Sequence, residues 1–532
     1  MKLSFIKNSV LLSGFIILAF VSCTKDLDRQ PLTGTTANDV YNTPANYKDV
    51  LAKIYAGLAV SGQQGPAGNP DITGYDEGFS NYLRQYWQME ELTTDEAVIG
   101  WADADIQDLH NMNWTTSNTF VRMIYNRIYY QISLCNEFIR ESSDEAVASK
   151  GITGADADNI KQYRAEARFM RALSYYHAMD LFGNVPFVTE NDPVGNFLPP
   201  QISRDSLFQY IETELLDVES LLADPRTNEY ARADKAADWM LLAKLYLNAE
   251  VYTGQARYND CITYCSKIIS AGYSLEPEYK NLFLADNNTS NEIIFPVAFD
   301  ALRTQTYGGM VYLIHAEIGG KMNASDFGVS SGGWAGLRTT KNLVTAFPDP
   351  SGSTDTRAMF FTDGQSLDIK IILNNFTDGY AVTKYKNINS AGEAESDPTG
   401  TFVNTDYPMF RLADVYLMYA EATLRGGGGD MTTAVDYINQ LRERAYGNNS
   451  GNISESDLTL DFILSERARE LYWEGTRRTD LIRFGKFTSS NYLWPFKGGV
   501  EGGTGVEDYR NIFPIPVSDI TVNPNLQQNT GY

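Results

Sequence analysis

Two stretches of this chain carry the same pattern, and that pattern constrains the fold most. Within residues 238–273, Leu241, Leu245 and Tyr246 recur at helical spacing, Gly254 breaks the run, and Tyr258, Ile262, Cys265 and Ile269 resume it. Within residues 411–446 the order returns: Leu412, Tyr416 and Tyr419, then a break at glycines 426–429, then Ala434, Tyr437, Ile438 and Leu441. Each stretch reads as a helix-turn-helix pair of about 34 residues, the size of a tetratricopeptide repeat. Such a pair cannot bury its own apolar face, so neighbours stack, and the pattern predicts a right-handed helical scaffold. Residues 163–181 with 206–222 form a candidate third pair.

Further helices are predicted over residues 44–59, 120–139 and 158–181, the last stopped by Gly183 and Pro186. Residues 62–78 read as a loop rich in Gly, Pro and Asp. Residues 285–404 differ in texture, with short apolar runs such as 293–297 and 371–373 among many Gly, Asn, Ser and Thr. They are expected to form loops and short strands inserted into the helical frame, where recognition usually resides. Residues 511–532 are expected to be short strand and turn, because Pro514, Pro516 and Pro524 discourage helix. The predicted organisation is an export signal over 1–22, a tether over 23–40 and one integrated body from 41. Within that body lie a helical part (41–284), a loop-rich insertion (285–404) and a second helical part (405–532). The fold class is mainly α, a tetratricopeptide-like scaffold with an irregular ligand-binding region.

The 532 residues are 43% hydrophobic and 21% charged, as a globular body requires. A formal net charge of -24 argues against nucleic acid as a partner, because phosphate binding needs concentrated positive charge. The amino terminus has Lys2 and Lys7 around an apolar run, ending Phe20-Val21-Ser22-Cys23. That run is too short for a comfortable membrane span and has the form of an export signal. Small Ser22 before Cys23 resembles the cleavage box of bacterial lipoproteins, in which the cysteine carries the lipid. The remaining cysteines, Cys135, Cys261 and Cys265, are read as buried free thiols. The second and third lie four apart on one helix, an awkward geometry for a disulfide. His110, His177 and His315 lack ligand spacing, so neither a metal nor a cofactor is expected.

Glu466, Glu470 and Glu474 recur every fourth residue beside Arg467, Arg469, Arg477 and Arg478. Stacked carboxylates suggest acid–base work, but arginines within reach favour a structural ion network that fixes this helix against a neighbour. Asp95 with Glu96, and Asp103 with Asp105, could flank a sugar, but the sequence gives neither the separation nor the opposed geometry that glycoside hydrolysis demands. No phosphate loop, nucleophile elbow or His-Glu-x-x-His motif is present.

Long ordered matches identify the chain as resembling the SusD/RagB family of outer-membrane nutrient-binding lipoproteins of Bacteroidetes. They run from Glu91-Leu92-Thr93-Thr94-Asp95-Glu96 through Arg164-Ala165-Glu166-Ala167-Arg168-Phe169-Met170-Arg171-Ala172 to Phe182-Gly183-Asn184-Val185-Pro186. They continue at Phe410-Arg411-Leu412-Ala413-Asp414-Val415-Tyr416, at Glu466-Arg467-Ala468-Arg469-Glu470-Leu471, and at Glu474-Gly475-Thr476-Arg477-Arg478. Phe513-Pro514-Ile515-Pro516 and the terminal Gln528-Asn529-Thr530-Gly531-Tyr532 close the series. The resemblance implies four tetratricopeptide-like pairs and a lipid-held position facing the cell exterior. It also implies a SusC-like TonB-dependent transporter as partner and an oligosaccharide or polysaccharide as ligand, without catalysis. A peptide or another nutrient as cargo is the alternative within the family. A glycoside hydrolase or a purely structural surface subunit are the alternatives outside it.

Sugar rings pack their C–H faces on exposed aromatic rings, while short polar groups bond the hydroxyls. The candidate ligand surface is therefore Trp101, Tyr307, Tyr312 and Trp334, with Trp87 or Trp114 as replacements for Trp101. Asn323 and Arg338 are the candidate polar helpers. Small residues surround Trp334 in Ser330-Ser331-Gly332-Gly333-Trp334-Ala335-Gly336, which lets a large ring stand free.

Overall fold

A computed structural model describes residues 37–532 except Gln64, Ala67, Asn69, Ala104 and Asn196. The export signal, Cys23 and most of the tether lie outside the described residues. The body is mainly α-helical with short two-stranded ladders. Among the described residues no helix is long and apolar enough to cross a membrane.

Local chemistry sets the helix ends. Helix Pro44–Ala59 begins with proline and is capped by Thr43, and helix Thr119–Glu141 is capped by the Asn118 side chain, which accepts from two backbone N–H groups. Helix Ala155–Phe182 stops at Gly183, whose φ of 70° a side chain rarely adopts. The two patterned stretches each fold as paired helices: Lys235–Leu247 packs on Tyr258–Ile269, and Leu412–Leu424 on Met431–Tyr446. Ala155–Phe182 packs on Arg204–Val218 in the same way. Helices Tyr258–Ile269 and Leu412–Leu424 pack together, joining two pairs far apart in sequence. Their buried faces merge into one large core. Cys135, Cys261 and Cys265 are buried and free, as expected, with the Cys261 and Cys265 sulfurs 4.0 Å apart.

The insertion departs from its expected texture at two points. Residues 293–297 do form a strand, antiparallel to Tyr407–Arg411. Between its loops, however, lies a fully buried helix, Gly309–Ala316, whose uniform apolarity hides any helical period. The apolar run 371–373 is a turn, not a strand, with Ile371 and Leu373 exposed. The carboxyl end also differs from expectation: it carries helix Val517–Val522 and no strand. Pro516 and Pro524 flank that helix instead of interrupting it, positions where proline is tolerated.

The charged half of helix Leu460–Leu471, residues 466–471, is buried, and its glutamates find partners largely outside it. Glu466 does pair with Arg469 one turn on, but also with Arg357 and Arg442 at 2.7 Å each. Arg411 donates to Glu470 at 2.7 Å and Arg357 at 3.0 Å, with Arg444 completing the set. Glu474 accepts from Arg411 at 2.6 Å and from Lys384 at 2.7 Å. Arg477 pairs with Asp95 at 2.8 Å and Arg478 with Asp180 at 2.7 Å. The network therefore ties seven separate segments together, where the sequence pattern suggested pairing along one helix and its immediate continuation.

Candidate ligand-binding site

One short ladder builds the site. Val98 pairs with Arg338 and Ile99 with Leu337 in antiparallel register, and Gly100 N–H continues the ladder to the Gly336 carbonyl at 2.8 Å. This register brings Trp101, two residues beyond Ile99, beside Trp334, three residues before Leu337. The Trp101 indole N–H donates to the Trp334 carbonyl at 3.1 Å, and the ring centroids lie 6.4 Å apart. Tyr307 extends the row, its ring 6.4 Å from that of Trp334. All three line one open cleft of about 540 Å3. Trp101 and Trp334 are half-buried, and Tyr307 is 40% exposed.

Each ring is held from behind. His315 stacks on Trp334 at 4.7 Å and 19°. The imidazole is itself fixed between the carbonyls of Gly332 and Thr401. Burial pushes its pKa down, and the two carbonyl contacts work against that shift. Two glycines let the arc close. A Cβ on Gly336 would lie 2.5 Å from the Trp101 ring, and one on Gly78 would lie 2.7 Å from Cβ of Tyr307.

Polar groups converge on the same cleft. Arg84, in the first turn of helix Tyr82–Glu91, lines it while almost wholly buried. Its guanidinium lies 4.2 Å from the centroid of Tyr312 and 4.3 Å from that of Phe79, and donates to the Gly78 carbonyl at 3.1 Å. Its Nε and second terminal nitrogen have no protein partner. They lie among the rings of Phe79, Trp101 and Tyr312, whose faces attract the cation. Asp76 and Asp103 line the rim, and Asn374 is hung there by its own N–H bond to the Gly100 carbonyl at 2.8 Å.

The six residues singled out from sequence divide. Trp101, Tyr307 and Trp334 meet in the cleft. Tyr312 is fully buried beneath Arg84, with its hydroxyl bonded to Gln88, so it supports the site without facing a ligand. Arg338 is also fully buried. It donates to the carbonyls of Ile372 at 3.0 Å and Asp378 at 2.8 Å, and to that of Asn375. It thereby shapes the loop that carries Asn374, and is no ligand-facing helper. Asn323 caps the short turn Ala324–Phe327 away from the cleft and bonds Asp326. Trp87 and Trp114 are buried in the core, which removes them as replacements. Arg84, Asp76, Asp103 and Asn374 join the candidate set. Arg84 carries only a weak sequence signal, a basic residue just after the Asn81 cap.

The chain matches the family model described as "SusD family" over residues 362–532, and "Starch-binding associating with outer membrane" over residues 35–247. It is 36% identical over 581 aligned positions to the "Starch-binding protein SusD" of Bacteroides thetaiotaomicron, covering all of both chains. The chain belongs to the SusD/RagB family. Members are outer-membrane nutrient-binding lipoproteins of Bacteroidetes, typically binding proteins without catalysis. A SusD-like protein of Formosa agariphila, P25, is 24% identical over 99% of each chain. Among solved structures, surface glycan-binding protein A of Bacteroides fluxus matches with a TM-score of 0.70 at 22% identity, covering 92% of this chain and 100% of that one. The B. thetaiotaomicron protein of that name, in complex with laminarihexaose, matches with a TM-score of 0.67 at 21% identity over 91% and 99%. These two likenesses establish the SusD-like fold.

Proposed function

We propose that this protein is a surface lipoprotein that captures a neutral oligosaccharide or polysaccharide and delivers it to a SusC-like TonB-dependent transporter. The row Trp101–Trp334–Tyr307 carries this reading. Three successive rings around an open cleft match the curved apolar surface of a glycan, whose sugar faces stack on aromatic rings. Arg84 donates to hydroxyl oxygens, while Asp76 and Asp103 accept from hydroxyl hydrogens. Carboxylates on the rim disfavour an anionic sugar. The full-length likeness to a starch-binding protein makes an α-glucan the first ligand to test.

The tetratricopeptide-like pairs are the rigid frame in this reading. Cys23 is the lipid-bearing residue, and covalent acyl chains supply the membrane affinity that the body lacks. The buried ion network serves folding, and Asp76 and Asp103 bind without catalysing.

The test is calorimetric titration of the soluble body with maltoheptaose, laminarihexaose and a peptide mixture, with chromatography of each sugar afterwards. Saturable binding of an unaltered oligosaccharide supports the reading. Cleaved sugar would mean an enzyme, and binding confined to peptide would mean a different cargo.

A further inference from the structure

The loop that lends Asp76, Gly78 and Phe79 to the aromatic cleft lends Asp71, Ile72 and Thr73 to a second, larger one of about 720 Å3. One wall is helix Thr119–Glu141, which presents Tyr125, Tyr129 and Tyr130. The others are residues 186–195 and 197–199 and helix Val517–Val522 with the residues just after it. The lining is predominantly apolar. At its rim Val194 is 78% exposed, Leu198 44% and Val522 68%. Single exposed aliphatics are ordinary, but three around one apolar cleft mark a contact surface. Tyr125 is buried in the wall, and its hydroxyl has no partner.

The charge of the cleft selects its occupant. Glu137 is paired with Arg140 at 2.9 Å, and Asp71 with Lys53 at 3.0 Å and Arg127 at 3.4 Å. Asp192 bonds Thr189 and Asp519 bonds Ser518, and neither forms an ion pair among the described residues. Arg122 acts on Asp519 only at longer range. A cleft of tyrosines and exposed aliphatics with open carboxylates suits an apolar side chain flanked by Lys or Arg.

The cleft also lies near the point where the tether enters the body. Tyr41, four residues into the described chain, packs its ring 6.2 Å from Phe138, a neighbour of the cleft residues Glu137 and Arg140. Cys23 precedes Ala37 by fourteen residues. At ~3.3–3.6 Å per residue, that length spans about 50 Å at most. A protein seated in the same membrane is within reach.

We infer that this second cleft docks the partner transporter, receiving from one of its outward-facing loops an apolar side chain flanked by a basic residue. The inference rests on the reading above, that Cys23 carries lipid and a TonB-dependent transporter is the partner.

The experiment uses the tagged full chain expressed in its own cells, with membranes dissolved in mild detergent and the co-purified transporter identified and quantified by mass spectrometry. Val194 and Leu198 are exposed, so V194D/L198D preserves the fold. At least a tenfold loss of co-purified transporter is expected, with glycan affinity unchanged in the isolated body. Equal retention by the double variant overturns the docking assignment and leaves the glycan reading standing. No transporter with the unaltered chain overturns the partnership itself, and the inference with it. A photo-crosslinking residue at Val522 gives the independent check. An adduct with the transporter supports the inference, and adducts only with a second copy of this chain or with lipid overturn it.

Discussion

Trp101 donates its indole N–H to the backbone carbonyl of Trp334 at 3.1 Å, across 233 residues of sequence. One ring is thus fastened to the backbone of the other, and the cleft between them is built before a ligand arrives. A preformed aromatic surface reduces the ordering cost of binding. The bond also fixes which edge of Trp101 is spent on the protein, leaving ring surface open to the cleft.

That fastening needs Gly336. Replacing it by Val places a side chain where the Trp101 ring lies, within 2.5 Å of its atoms. The core around it is otherwise untouched. Gly336→Val is expected to weaken glycan binding about 5- to 150-fold, the range for losing a hot-spot contact of ~1–3 kcal/mol. Titration with a thermal melt as control checks this. Full affinity in the variant would show that the ring is free to shift.

Glu470 is expected to matter for folding and not for binding. It is fully buried and accepts from Arg357, Arg411 and Arg444. Glu470→Gln removes the negative charge that balances three buried guanidinium groups, a class of change that costs about 3–5 kcal/mol. Chemical denaturation should show a loss of this size, with glycan affinity retained at temperatures where the variant is folded. Unchanged stability with lost affinity would reverse the assignment.

Stability should fall on both sides of a mildly acidic optimum. Burial alone pushes the Glu466 carboxyl up, but Arg357, Arg469 and Arg442 outweigh it and hold it at about 2, against 4.5 when free. Its stabilisation is full above pH 4.5 and is lost as pH falls toward 2. Glu90 and Glu96 go the other way. Burial, with Asp180 adding to it at Glu90, pushes each up to about 8, while Arg477 works against the rise at Glu96. The folded chain then holds protons that the unfolded chain releases between pH 4.5 and 8, so stability declines across that window. Melts from pH 2 to 9 should show both limbs, and Glu90→Gln should flatten the upper one. A flat profile up to pH 8 would contradict the protonated state of these carboxyls.

The helical frame was largely legible because its signals are local. Helix Pro44–Ala59 begins and ends where the apolar period placed it. The convergence of Trp101, Tyr307 and Trp334 on one cleft follows a related logic: large rings beside glycines and turns have few ways to be covered. The rest of the site depends on long-range packing. Arg84 reaches the cleft through its seat against Tyr312 in another segment, and Asn374 hangs from Gly100. Arg338 read as a ligand helper by proximity to Trp334, yet strand pairing turns it inward onto three carbonyls. The partners of Glu470 were hidden for the same reason, Arg411 and Arg357 being 59 and 113 residues away. Helix Val517–Val522 was missed because prolines on either side masked a six-residue run.

Attachment tests the one part of the account that lies outside the described residues. Cys23→Ser removes the thiol that lipidation requires. Detergent-phase separation of cells expressing this variant should show the protein leaving the detergent phase or retaining its signal. Unchanged partitioning would mean that another element holds the protein at the membrane.

The central claim is that Trp334 is a ligand-stacking ring. Trp334→Ala removes a half-buried ring face and leaves His315, its carbonyl partners and the strand ladder in place. The most direct measurement is titration of the oligosaccharide that binds the unaltered protein into this variant, with the melting temperature recorded beside it. The account predicts an affinity loss of about 5- to 150-fold, equivalent to ~1–3 kcal/mol, with the melt little changed. Undiminished affinity in a normally folded Trp334→Ala protein would contradict it.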